Sequence, residues 1–99
     1  MSVKQDHKKW RKEFNYNCRE RDNHKCVFCD ETENLDVHHI TNRRNMPNGG
    51  YVITNGITVC SFHHLLCENQ TNEEYHPNKL YKKINSTYEL AYNDSLNLK

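Results

Sequence analysis

From Gln5 to Arg21 the chain has no Gly or Pro, and Trp10, Phe14 and Cys18 recur every fourth residue among polar neighbours, extended by the stem of Arg21. That period predicts one amphipathic helix with a narrow buried stripe, leaving Lys8, Lys9, Arg11, Lys12 and Arg19 largely outside it. "RDNHKC" then ends the helix in a polar turn, and "DETEN" after Cys29 makes a second turn. In "LDVHHI" the period shortens to two. Leu35, Val37 and His39 alternate with Asp36 and His38, which predicts a short strand whose adjacent histidines face opposite sides.

Pro47, Asn48, Gly49 and Gly50 favour a loop, after which "NGITVC" predicts a second short strand. "SFHHLLCENQ" reads as a helix with Ser61 as its N-cap, carrying His63, His64 and Cys67. Pro77 suits the first turn of a helix in "PNKLYKKI", and "STYE" from Ser86 to Glu89 matches a capping box opening a last helix to about Leu96. The order of strands and helices predicts a single small α+β domain over residues 1–99. It has a basic entry helix over 5–21, a core over 22–68 and C-terminal helices over 77–97.

Composition adds a difficulty. With 34% apolar and 27% charged residues the chain has little material for a large core, and small scaffolds so placed add disulfides, a metal or a partner chain. Five cysteines and seven histidines are the candidates. "MSVKQDHKKW" lacks the apolar centre of a secretory signal and no run reaches the length of a membrane span, so the expected location is intracellular and reducing. There, closely spaced cysteines bind metal more often than they pair. The net charge of +1 hides an asymmetry: residues 1–25 carry eight Lys/Arg against four Asp/Glu, an excess that either attracts nucleic acid or solvates a helix face.

Cys26 and Cys29 form C-x2-C, and Cys60 with His63 forms C-x2-H; together they supply four ligands for tetrahedral zinc. Thirty residues separate Cys29 from Cys60, so a substantial piece is inserted between the pairs, and that piece contains "VHHI". Cys18, on the apolar stripe, reads as a buried inert thiol. Cys67, one turn after the second histidine doublet, could replace a ligand. His7, His24 and His76 have no partners identifiable from sequence.

The succession of C-x2-C, "VHHI", "NGITVC" and "HH" from Arg21 to Glu68 resembles the HNH nuclease family, whose ββα-metal motif cleaves nucleic acid. "CRERDNHKC" is similar to the family's entry helix and turn. "HPNKLYKKINSTYELA" resembles tails of small phage-type members, which implies a phage-encoded protein working in a bacterial host's cytoplasm. The resemblance implies that His39 is the general base, Asn55 the central Asn and His64 a ligand of a catalytic metal, with His38 as the second protein ligand where the family often has Asp. It further implies DNA as the partner, no membrane, and a monomer or weak dimer.

Physical chemistry agrees with those roles. Phosphodiester hydrolysis needs a deprotonated water in line and a positive charge facing the phosphate; a histidine near its ordinary pKa of about 6.5 supplies the base. His38 and His64 alone would hold the ion without a carboxylate, so Mn²⁺, Ni²⁺, Co²⁺ or Zn²⁺ is expected to serve better than Mg²⁺, with activity falling below about pH 6. Asn55 would brace the loop and fix the orientation of His39. Arg43, Arg44, Lys8 and Lys12 are the candidate nucleic-acid contacts. The competing function is a non-catalytic zinc-stabilised nucleic-acid-binding module. A redox role for Cys26 and Cys29 lacks the βαβ pattern that would surround it.

Overall fold

The apolar stripe of the first helix is the surface on which the rest of the chain is laid. A computed structural model describes residues 3–99, with side chains described from residue 7 onward; Lys4 and Asp6 of the basic N-terminal count fall outside those side chains, as do residues 1 and 2 altogether. Helix α1 spans Val3–Arg21, and its Trp10, Phe14 and Cys18 are each no more than 8% exposed. They form one apolar cluster with Val37 and Tyr51. The Trp10 indole donates to the Lys99 carbonyl at 2.9 Å, which closes the C-terminus over this cluster.

Strands β1 (Leu35–His39) and β2 (Gly56–Cys60) pair antiparallel, with Val37 opposite Thr58, His38 opposite Ile57 and His39 opposite Gly56. Opposed residues share a face. Val37, His39, Gly56 and Thr58 therefore face α1, whereas Asp36, His38, Ile57 and Val59 face the other way. A glycine is required at position 56: a Cβ there would stand 2.5 Å from a Phe14 ring carbon and 2.6 Å from the Cys18 sulfur. Arg21 and Asp22 tie α1 to this strand. The Arg21 guanidinium donates to the carbonyls of Ile53 and Gly56 while pairing with Asp22, whose carboxylate accepts from the Thr58 amide at 3.0 Å.

Helix α2 (Ser61–Glu68) follows β2 without a loop, and α3 (Pro77–Lys83) and α4 (Tyr88–Leu96) complete a small α+β fold of two antiparallel strands and four helices. A second core of Ile40, Met46, Ile57, Val59, Leu80 and Tyr81, with Cys26, Cys60 and Cys67, fills the space between these helices and the sheet. Two caps differ from the sequence reading. Cys60 is the N-cap of α2, so Ser61 is already helical and its hydroxyl donates to the Asn34 carbonyl instead. Thr87 caps α4 by accepting from the Leu90 amide at 3.1 Å, so the capping box does not start at Ser86, whose hydroxyl donates to Thr54 O. Among the described residues no helix is long and apolar enough to cross a membrane.

Candidate functional site

The turn after α1 carries Cys26 and Cys29, and the junction of β2 with α2 carries Cys60 and His63. The donor atoms of these four residues all lie within 4.8 Å of one another. Zinc bonds of about 2.3 Å to sulfur and about 2.0 Å to nitrogen imply tetrahedron edges of about 3.8 Å between sulfurs and about 3.5 Å between sulfur and nitrogen. The structure has 3.8 Å from Cys29 Sγ to Cys60 Sγ, 3.7 Å from Cys26 Sγ to His63 Nδ1 and 3.3 Å from Cys60 Sγ to His63 Nδ1. The set fits a metal such as zinc. Burial resists ionisation of Cys60, but donors from His63 and the neighbouring thiols outweigh it and bring the group down to about 6. Phe28 stacks on the His63 ring at 5.1 Å and fixes its plane. All five cysteines are free thiols, and Cys67 is not in the cluster: it is buried in the second core, which pushes its thiol up to about 12. Cys18, likewise buried, is pushed up to about 12, the inert thiol that its place on the stripe predicts.

A second donor set lies where β1 meets α2. His38 on the strand and His64 and Glu68 on the helix bring one donor atom each within 4.8 Å of the others. His64 Nε2 is 3.0 Å from Glu68 Oε1, and His38 Nδ1 is 3.8 Å from the same oxygen. Adjacent ligands of an octahedral ion with bonds of about 2.1 Å are about 3.0 Å apart, so the pair on α2 has the right edge for a small divalent cation. The other nitrogen of His64, Nδ1, is 3.2 Å from Asp36 Oδ2. The expected pair of histidines thus stands beside two carboxylates, Glu68 within the donor set and Asp36 behind His64. Glu68 was detectable, since it stands four residues after His64 on one helix face. Asp36 was not, because its approach to α2 depends on how the sheet packs.

His39 points to the other face, as its strand position requires. Its ring stacks on Phe14 at 4.5 Å and meets Tyr51 edge-on at 5.0 Å, and its Nε2 is buried without a hydrogen-bond partner among the described residues. Burial, then the charges of His38, Arg43 and Arg11, hold this imidazole down to about 4; burial, then His64, does the same to His38. Both are neutral at pH 7, and the reference pKa used in the sequence reading does not apply to them. Because β1 ends at His39, both imidazoles line one cleft of about 610 Å³, together with Arg43, Arg44, His64 and Glu68.

Asn55 is fully buried just before β2. Its side-chain carbonyl accepts from the Thr41 amide at 3.0 Å and the Tyr81 hydroxyl at 2.7 Å, while its NH₂ group donates to Thr41 O and Gly50 O. It braces the loop that leaves His39, and no hydrogen bond joins it to the His39 ring itself. Gly50 has φ +65°, and a Cβ there would meet the Asn55 amide nitrogen at 2.7 Å, so the brace and the glycine require each other. Lys8 and Lys12 are exposed on α1 and line neither the cleft of His38 and His39 nor the smaller one beside it. Arg11 and His7 line the latter. His24 is exposed beside Glu20, and His76 precedes α3 without capping it through its side chain. No protein-family model, curated protein or solved structure matches this chain.

Proposed function

We propose that the chain is a metal-dependent endonuclease of the HNH type, with a ββα-metal core, that hydrolyses phosphodiester bonds of DNA. One observation carries the reading: the donors of His38, His64 and Glu68 converge within 4.8 Å in the cleft that His39, the next residue on the same strand, also lines. The run from β1 through β2 into α2 supplies His39, Asn55 and His64 in that order, which supports the strand–strand–helix arrangement.

A divalent ion in this trio would offset the charge that grows on the scissile phosphate and the leaving oxygen. The chain does the remainder. His39, neutral at pH 7 and lining the same cleft, takes the proton from a water in line with the scissile bond. The water oxygen bonds to phosphorus, one P–O ester bond breaks, and the leaving oxygen is protonated from solvent. Phe14 and Tyr51 hold the His39 ring in place, Asn55 holds the loop behind it, and Arg43 and Arg44 face the phosphate from the same cleft wall.

The alternative, a zinc-stabilised DNA-binding module without catalysis, uses the Cys₃His cluster and gives the His38, His64 and Glu68 trio no purpose. Supercoiled plasmid incubated with the zinc-loaded protein and Mn²⁺, Ni²⁺, Co²⁺, Mg²⁺ or no added ion separates the two. Ion-dependent conversion to nicked or linear DNA supports the enzyme, whereas DNA binding without cleavage under every ion supports the module.

A further inference from the structure

We propose that Arg11, Arg43 and Arg44 form a second phosphate site beside the metal cleft, one that grips the DNA backbone at a phosphate flanking the scissile one, within about three nucleotides of it. The substrate class rests on the endonuclease reading; the test below does not. A cleft of about 250 Å³ is lined by His7, Arg11, Arg43, Arg44, Gly49 and Tyr51, and Arg43 and Arg44 also line the 610 Å³ cleft of His38, His64 and Glu68. The two spaces therefore share a wall made of two arginines.

The local structure explains why these side chains converge. Asn42 accepts from the Arg44 amide at 2.9 Å and starts a single 3-10 turn, Arg43–Asn45, that presents two successive arginines. Arg43 Nη1 is held by the Tyr51 hydroxyl at 3.3 Å, which leaves its other donors free for a ligand. Arg11 approaches from α1, one turn beyond His7, whose ring lies 6.0 Å from that of Tyr51. Among the described residues no carboxylate is within ion-pair distance of Arg11, Arg43 or Arg44, although Arg21 has such a partner. Three guanidiniums around one small cleft, with no carboxylate among the described residues in ion-pair distance, repel one another, and an anion with several oxygens relieves that repulsion while accepting paired N–H donors.

Position selects a polynucleotide over a free anion. The Tyr51 ring stands between His39, at 5.0 Å, and His7, at 6.0 Å, so the arginine cleft begins one aromatic ring away from the proposed base. A strand rising about 3.4 Å per nucleotide crosses that span within about three residues. A backbone threaded through the metal cleft has a flanking phosphate within reach of Arg11, whereas a mononucleotide fills only one of the two spaces.

The test is fluorescence anisotropy of a labelled short DNA duplex over a salt series without added divalent ion, using the zinc-loaded full chain. Arg11→Gln is expected to weaken binding about tenfold, the usual worth of one charged hydrogen-bonded contact, and to reduce the salt slope by about 0.9. Arg11→Lys should recover the slope but not the full affinity, since a point charge replaces a fork. Lys9→Gln removes the same charge from the same helix outside both clefts and should change affinity by less than about twofold. Inorganic phosphate, which fits the arginine cleft but cannot span both clefts, should displace DNA better than chloride at matched ionic strength from wild type and lose that preference with Arg11→Gln. Equal weakening by Arg11→Gln and Lys9→Gln, no weakening by Arg11→Gln, or a phosphate preference that survives Arg11→Gln would each overturn the proposal, whether or not the protein cuts plasmid.

Discussion

His64 Nδ1 lies 3.2 Å from Asp36 Oδ2, so a strand carboxylate holds the outer nitrogen of a helix imidazole whose inner nitrogen faces Glu68 at 3.0 Å. With an ion in the donor trio, an acceptor at Nδ1 would hold the proton there and turn the Nε2 lone pair toward the ion. Such outer partners contribute about 10–100-fold to metal affinity or activity. Asp36→Asn should therefore weaken Mn²⁺ binding by that range, measured by calorimetry on zinc-loaded protein, while the melting temperature moves little because Asp36 is exposed. Unchanged Mn²⁺ affinity would show that the contact does not orient a ligand.

The Cys₃His cluster should carry the fold of its region. It joins the turn after α1 to the junction of β2 and α2, and its Cys26 and Cys60 are themselves part of the second apolar core. Removing the metal, or Cys29→Ser, should abolish the cooperative thermal transition of the core, followed by circular dichroism. A chelated protein with an unchanged melt would exclude a structural metal there.

Stability should fall in mild acid, and the sign follows from His38 and His39. Both are held down to about 4 in the folded protein against an ordinary 6.5. Between those values the unfolded chain binds protons that the folded chain refuses, so stability is lost as pH falls from about 6.5 to about 4 and is unaffected by these two groups above that window. His39→Gln removes one of the two titrations. Its urea midpoint should drop less than that of wild type between pH 7 and pH 5, a comparison in which any acid release of zinc affects both proteins alike. Equal drops would place the His39 pKa near its unperturbed value.

Glu68 changes the metal preference expected from two histidines alone. A carboxylate beside two imidazoles makes a mixed site, so Mg²⁺ should support measurable cleavage, still behind Mn²⁺. Glu68→Ala should cost more activity with Mg²⁺ than with Ni²⁺, because the remaining imidazoles suit the softer ion. Plasmid nicking rates over an ion series for both proteins check this; an unchanged ion ranking in Glu68→Ala would remove Glu68 from the site.

Much of this arrangement was legible in the sequence, for reasons that differ by residue. The two C-x2 pairs are local features whose spacing already fixes the donors on tight turns, so Cys26, Cys29, Cys60 and His63 could be paired without the fold. The period-two run through "LDVHHI" placed His38 and His39 on opposite faces, and the stripe of Trp10, Phe14 and Cys18 was read from its helical spacing. What was missed depends on packing between elements. Asp36 reaches His64 only after the sheet is laid against α2, and Arg43 and Arg44 join Arg11 at the arginine cleft only because the 42–50 loop folds back toward α1. The lowered pKa of His39 is a property of its burial against Phe14 and Tyr51, which no spacing reveals. Ser61 and Ser86 both looked like caps, but each gives its hydroxyl to a distant carbonyl, and the neighbouring Cys60 and Thr87 occupy the cap positions.

The central claim is that His39 takes the proton from the attacking water, and single-turnover cleavage of plasmid by wild type and His39→Ala, at saturating protein with Mn²⁺, tests it most directly. A general base contributes about 10²–10⁴-fold to the chemical step and little to ground-state binding. The account predicts a rate loss in that range for His39→Ala with DNA affinity close to wild type, and the same loss for His39→Gln, which preserves the bulk of the side chain against Phe14. A His39→Ala protein that binds DNA normally and retains more than about a tenth of the wild-type rate would contradict it.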